Sequence, residues 1–125
     1  MSTADPSNPF SLKTSAEIGL EAELKVIDHF RNRGCQLVFQ RKKIAHVEID
    51  LIFNDVLNWQ FIAVEVKSVR GSFENFPRVS ASQIKRLKRT FQVLIEGTGK
   101  EFELLVAYVN LEKDTIEFHD FNFFK

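Results

Sequence analysis

Asp50, Glu65 and Lys67 are charged residues set inside apolar runs: Val47-Glu48-Ile49-Asp50-Leu51-Ile52-Phe53 and Phe61-Ile62-Ala63-Val64-Glu65-Val66-Lys67. Both runs are short and rich in Val, Ile and Phe, and Asn54, Asp55 and Asn58 lie between them, the pattern of two strands joined by a turn. The spacing predicts a hairpin. Side chains alternate along a strand, so Glu65 and Lys67 share one face and Val64 and Val66 the other. A charge in an apolar strand is costly unless it is paired or holds a metal, so the carboxylates and the lysine are expected to converge. Such a set suits a hard cation such as Mg²⁺ or Mn²⁺, which takes oxygen ligands and shares its shell with water and substrate phosphates. A buried ion pair of Lys67 with Glu65 or Asp50, serving only to hold the sheet, accounts for the same residue types. From residue types alone the two readings stand level.

The elements that must position these residues are marked by capping signals. Thr14-Ser15-Ala16-Glu17 matches a capping box and Gly34 a left-handed stop, predicting a helix between them. Its inward face is Gly19, Ala22, Val26, Ile27 and Phe30, with Glu21, Lys25 and Asp28 pointing away. Glu23 falls within the apolar stripe. It either looks into a polar cavity or snorkels at the stripe's edge. Cys35 to Gln40 reads as a strand before the hairpin, and the three strands are expected to form an antiparallel meander. Ser80-Ala81-Ser82-Gln83 is a second capping box, after Pro77, and Gly97 and Gly99 close its helix. Ile84, Leu87, Phe91, Leu94 and Ile95 form that helix's buried stripe, leaving a basic surface of Lys85, Arg86 and Arg89. Phe102 to Asn110 reads as a strand long enough to be central, and Thr115 to Phe121 as a last one. The order is α-β-β-β-α-β-β, an α/β fold. A helix between the third and fourth strands permits a parallel crossover and a mixed central sheet flanked by helices.

At 125 residues, 44% hydrophobic and 27% charged, the chain fits one globular domain, residues 14–125, behind a polar tail, residues 1–13, expected to be disordered. Formal net charge is zero, so bulk charge makes no case for nucleic acid. The distribution does. Arg31, Arg33, Arg41, Lys42 and Lys43 form one basic group, and Lys67, Arg70, Arg78, Lys85, Arg86, Lys88 and Arg89 another, whereas Glu96, Glu101, Glu103, Glu112, Asp114, Glu117 and Asp120 turn the last third acidic. Cys35 stands alone, which fits a reducing cytoplasm, and no Cys/His set has zinc spacing. No signal peptide or membrane-length apolar run is visible, so a cytoplasmic protein without a membrane partner is expected. His29, His46 and His119 are scattered, and there is neither a serine or cysteine nucleophile motif nor a glycine-rich phosphate loop.

From about Gly19 to Asn110 the chain resembles the PD-(D/E)xK nuclease superfamily, with its restriction-endonuclease-like fold, and within it the YraN-like bacterial proteins. The resemblance rests on Glu-Ile-Asp-Leu-Ile at Glu48 to Ile52 and Val-Glu-Val-Lys at Val64 to Lys67, supported by Gly19 with Glu23 and by Gly34. It implies that Asp50 and Glu65 are metal ligands, with the Val66 carbonyl as a third donor, and that Lys67 orients water or stabilises phosphate charge. Glu23 matches a helix glutamate found near the metal. Ile49 stands where the motif has proline, Val47 replaces the glycine of a Gly-Glu-Ile-Asp string, and Gln83 stands where YraN-like proteins usually show lysine. The arginine after the motif lysine is displaced to Arg70. These departures leave the metal set intact and fall on substrate contacts.

The activity so implied is Mg²⁺-dependent (or Mn²⁺-dependent) endonucleolytic hydrolysis of DNA, with branched or damaged DNA as the substrate class. Ser82 and Gln83, in the first turn of the basic helix, could hold a phosphate, and Arg41, Lys42, Lys43, Arg70, Lys85, Arg86 and Arg89 would neutralise the flanking backbone. Two-fold symmetric cleavage would require a homodimer, which the sequence leaves open. Two other readings remain: a catalytically silent nucleic-acid-binding module, and an interaction protein docking through a tail rich in Phe118, Phe121, Phe123 and Phe124.

Overall fold

A computed structural model describes residues 13–44, 47–69 and 81–120. The tail up to residue 12, His46, Arg70, Arg78, Ser80 and the phenylalanines from Phe121 onward lie outside the described residues, as do the side chains of Gln83, Ile84, Leu87 and Leu94.

The elements follow the expected order: helix α1 (Ser15–Asn32), strands β1 (Gln36–Ile44), β2 (Val47–Asp55) and β3 (Gln60–Ser68), helix α2 (Ala81–Thr98), then β4 (Glu101–Asn110) and β5 (Thr115–Asp120). Both halves of the first capping box are present, with Glu17 N donating to Thr14 Oγ1 at 3.1 Å and Thr14 N donating to Glu17 Oε1 at 3.4 Å. The C-terminus closes as a Schellman turn. Gly34 takes φ +83°, its N–H bonds the Arg31 carbonyl, and the Cys35 N–H bonds the Phe30 carbonyl.

The five strands lie in sequence order, β1-β2-β3-β4-β5. The first three form the meander, β3 and β4 are parallel across the α2 crossover, and β4 and β5 are antiparallel. The hairpin turn is held by the Asp55 carboxylate, which accepts from Asn58 N and Nδ2. β4 is paired on both sides, by β3 and β5, as its length led one to expect, and β3 is the middle strand. One sequence expectation needs correction: β1 runs on through Arg41, Lys42 and Lys43, residues read as a basic flank. Long cations suit this place because β1 is an edge strand whose outer side meets water.

Each sheet face carries one helix. Ala22, Val26, Ile27 and Phe30 of α1 pack on Leu51, Phe53, Ile62, Val64, Ala107 and Val109, and Phe118 of β5 closes over Phe30. Phe91 of α2 packs on Ile49, Ile52, Ala63, Leu104, Val106 and Tyr108 on the other side. This three-layer arrangement buries β3 on both faces, so a carboxylate in that strand has little water around it.

Candidate functional site

The site forms where the sheet forks. β2 pairs with β3 only from Leu51 opposite Val64 to Asp55 opposite Gln60. Beyond that point β2 continues to Val47 against β1, while β3 continues to Ser68 against β4. The strands part at Asp50 and Glu65. Parting leaves main-chain groups of β3 without ladder partners on the β2 side, and one is supplied by a side chain: Val66 N donates to Asp50 Oδ2 at 2.8 Å. A carboxylate thus replaces a strand at the fork, and this bond fixes the Asp50 side chain.

Alternation places Val64 and Val66 on the α1 side, with Ala63 packed on the α2 side. Glu65 and Lys67 share the parity of Ala63. Glu65 is 6% exposed and Lys67 half-buried. Among the described residues, Glu65 Oε1 is a buried side-chain oxygen with no hydrogen-bond partner. Burial and the negative charge of Asp50 push the Glu65 carboxyl up to about 7, against a smaller opposing pull from Lys67. Asp50 is also raised, by burial first, while the Val66 N–H and Lys67 pull it down and Glu48 adds to the rise. Asp50 and Lys67 are therefore close enough to Glu65 for their charges to act on its carboxyl.

On the α1 side of the fork lies a cavity of about 610 Å³, lined by Ala16, Gly19, Leu20, Ala22, Glu23, Arg41, Asp50, Val66 and Ser68. Glu23, the polar residue within the apolar stripe, is 6% exposed and faces this cavity, where its Oε2 lies 2.6 Å from Arg41 Nη2. Arg41 adopts φ +52° and stands opposite Asp50, between the pairs Gln40 with Leu51 and Lys42 with Ile49. Glu65 and Lys67 do not line this cavity; they meet Asp50 from the other side of β3.

Gly19, Glu23, Arg41, Asp50 and Val66 are thus brought together around one cavity, with Glu65 and Lys67 behind it. The remaining basic residues spread out. Lys42 and Lys43 are exposed on β1, with Lys42 over the Phe39 ring, and Lys85, Arg86 and Arg89 are exposed on α2, which covers the opposite face. Ser82 is exposed in the first turn of α2. Among the described residues no group of three or more His, Cys, Asp or Glu side chains gathers closely enough to hold a metal unaided. Sequence reasoning did not single out Ser68, although it follows Val66 by the strand period of two and so had to share its face. The Glu23 to Arg41 pair left no sequence signal. It depends on a left-handed residue in mid-strand, which no local pattern announces.

The geometry first defines a class, an α/β/α domain with an acidic cluster at a fork between two interior strands. The sequence then places the chain: the model described as "Uncharacterised protein family UPF0102" matches residues 22–116, and the protein belongs to this, the YraN family. Among solved structures, a repair endonuclease from Pyrococcus abyssi is similar over 79% of this chain, with a TM-score of 0.48 and 14% identity. The chain spans about two fifths of that structure, 40% of its length. No curated protein matches the chain. No described helix is long and apolar enough to cross a membrane.

Proposed function

We propose that this protein is a metal-dependent endonuclease that hydrolyses phosphodiester bonds in DNA, with branched or damaged DNA as its substrate class. The observation that carries this reading is the buried, unpartnered Glu65 Oε1 beside Asp50 and Lys67. Leaving such an oxygen unsatisfied costs roughly 1–3 kcal/mol or more, a cost that a cation would remove. The donor chemistry fits, since carboxylate and carbonyl oxygens are the ligands that Mg²⁺ and Mn²⁺ take. Asp50, Glu65 and the Val66 carbonyl would hold the ion, which when bound supplies a water of lowered pKa and positive charge against the phosphate.

The chain's own groups account for the rest. The Val66 N–H holds the Asp50 carboxylate in one orientation before any ligand arrives. Lys67 would balance the negative charge that builds on the phosphate or orient the attacking water. Ser82 and Gln83 would hold a neighbouring phosphate at the start of α2, and Lys42, Lys43, Arg70, Lys85, Arg86 and Arg89 would neutralise the flanking backbone.

One observation favours a silent binding module instead: the Lys67 charge already opposes the repulsion between Asp50 and Glu65, as a structural ion cluster would. Incubation of the protein with Mg²⁺ or Mn²⁺ and a panel of single-stranded, duplex, flapped and four-way-junction DNA separates the two. Cleavage that requires the metal and is lost in both Asp50→Ala and Lys67→Ala supports the nuclease. Binding without cleavage, equal in all three proteins, supports the module.

A further inference from the structure

We infer that Arg41 is a clamp for a substrate phosphate in the α1-side cavity and that Glu23 is its positioning residue, not a ligand of the cation. This rests on the nuclease reading and departs from the role that the family resemblance implies for Glu23.

The two side chains differ sharply in exposure. The Glu23 side chain is 8% exposed and fixed on α1 between Ala22 and Val26, which are wholly buried, whereas the Arg41 side chain is 53% exposed. A guanidinium carries five N–H donors in a planar fork, and among the described residues one nitrogen, Nη2, is engaged, at 2.6 Å from Glu23. The other donors remain beside a cavity wide enough for a phosphodiester. Planar forks match phosphate oxygens in pairs, which a lysine cannot reproduce. The backbone is also committed, because φ +52° at a non-glycine residue is uncommon and is held only where the surroundings impose it.

Glu23 is a poor cation ligand in this arrangement. Its charge is met by Arg41, and a divalent ion on the same carboxylate would sit against the guanidinium. Asp50, by contrast, faces the cavity with its Oδ2 on a neutral N–H. The fork therefore separates two tasks: Asp50 and Glu65 attract the cation, and Arg41, braced by Glu23, attracts the anion. Ser68 on the same wall offers a hydroxyl to the same ligand.

The test has two arms on the full-length protein. In chelator-containing buffer, binding of a fluorescent DNA duplex is followed against salt. Arg41→Ala is expected to weaken it roughly tenfold and to lower the slope of log K against log salt by about one. Glu23→Ala is expected to lower the slope equally, because a released Arg41 leaves the cavity, and the double variant to lower it no further. Glu23→Gln, which keeps a carbonyl acceptor, is expected to retain the slope and checks that the fold survives. In the second arm, calorimetric Mn²⁺ titration is expected to give the same affinity for Glu23→Gln as for the unaltered protein and at least a tenfold loss for Asp50→Ala. A loss in Glu23→Gln as large as in Asp50→Ala, or an unchanged slope in Arg41→Ala, overturns the inference. If Asp50→Ala leaves Mn²⁺ affinity unchanged, the nuclease reading falls while the Arg41 slope still decides the clamp.

Discussion

Glu65 is a carboxyl group held at the edge of ionisation. With its pKa pushed up to about 7 from the usual 4.5, the folded protein binds more protons than the unfolded chain between those values. Stability from this group is therefore full below about pH 4.5 and is lost as pH rises through 7. The loss is roughly 3 kcal/mol, at 1.36 kcal/mol per pKa unit. Glu65→Gln has no such titration. Urea unfolding of metal-free protein is expected to show the variant gaining on the unaltered chain by about this amount between pH 4.5 and pH 8. A constant difference across that range would mean that Glu65 is ionised throughout. The key residues at this scale were legible because charges inside apolar strands are expensive and stand out. That Asp50 would spend an oxygen on the Val66 N–H was not legible, because the need for it arises from a missing strand neighbour, and a sequence does not display missing pairs.

At the scale of elements, α1 does two jobs with one surface. Its lower half fills the core through Val26, Ile27 and Phe30, while its first turns wall the cavity through Ala16, Gly19 and Glu23. The Phe30 ring packs tilted against Phe53 at 4.6 Å and meets Phe118 edge-on at 5.4 Å, so its removal leaves a void that the sheet cannot collapse into. Phe30→Ala is expected to cost about 3–5 kcal/mol in urea unfolding, with the midpoint shifted and the slope kept. A cost under about 1 kcal/mol would mean that α1 is not clamped on this face. The boundaries of α1 were legible from its caps, since Thr14, Glu17 and Gly34 each have one strong local reason to be there. The length of β1 was not, because Lys and Arg are poor strand formers by propensity and are admitted by the edge position, a fact of topology.

At the scale of the whole molecule, charge and chemistry are laid out by layer. The α1 face carries the cavity, the central sheet holds Asp50, Glu65 and Lys67 at its fork, and α2 turns a basic surface to water on the other face. The element order and the mixed sheet followed from the sequence because an apolar stripe, a cap or a turn marks each element. How the basic groups divide between the two faces did not, since a one-dimensional charge run carries no record of which side of a sheet it will cover. β5 is an edge strand whose Phe118 packs on Phe30, so this residue of the phenylalanine-rich end serves the protein's own core.

If the fork is a metal-dependent site for internal cleavage of DNA, a covalently closed, supercoiled DNA circle, which offers no ends, must be a substrate. With Mg²⁺ or Mn²⁺ at pH 8, the circle is expected to be converted to nicked or linear forms by the unaltered protein, with no conversion in chelator and none by Asp50→Ala or Glu65→Gln. An intact circle under all these conditions, in protein that binds DNA and is folded, would contradict it.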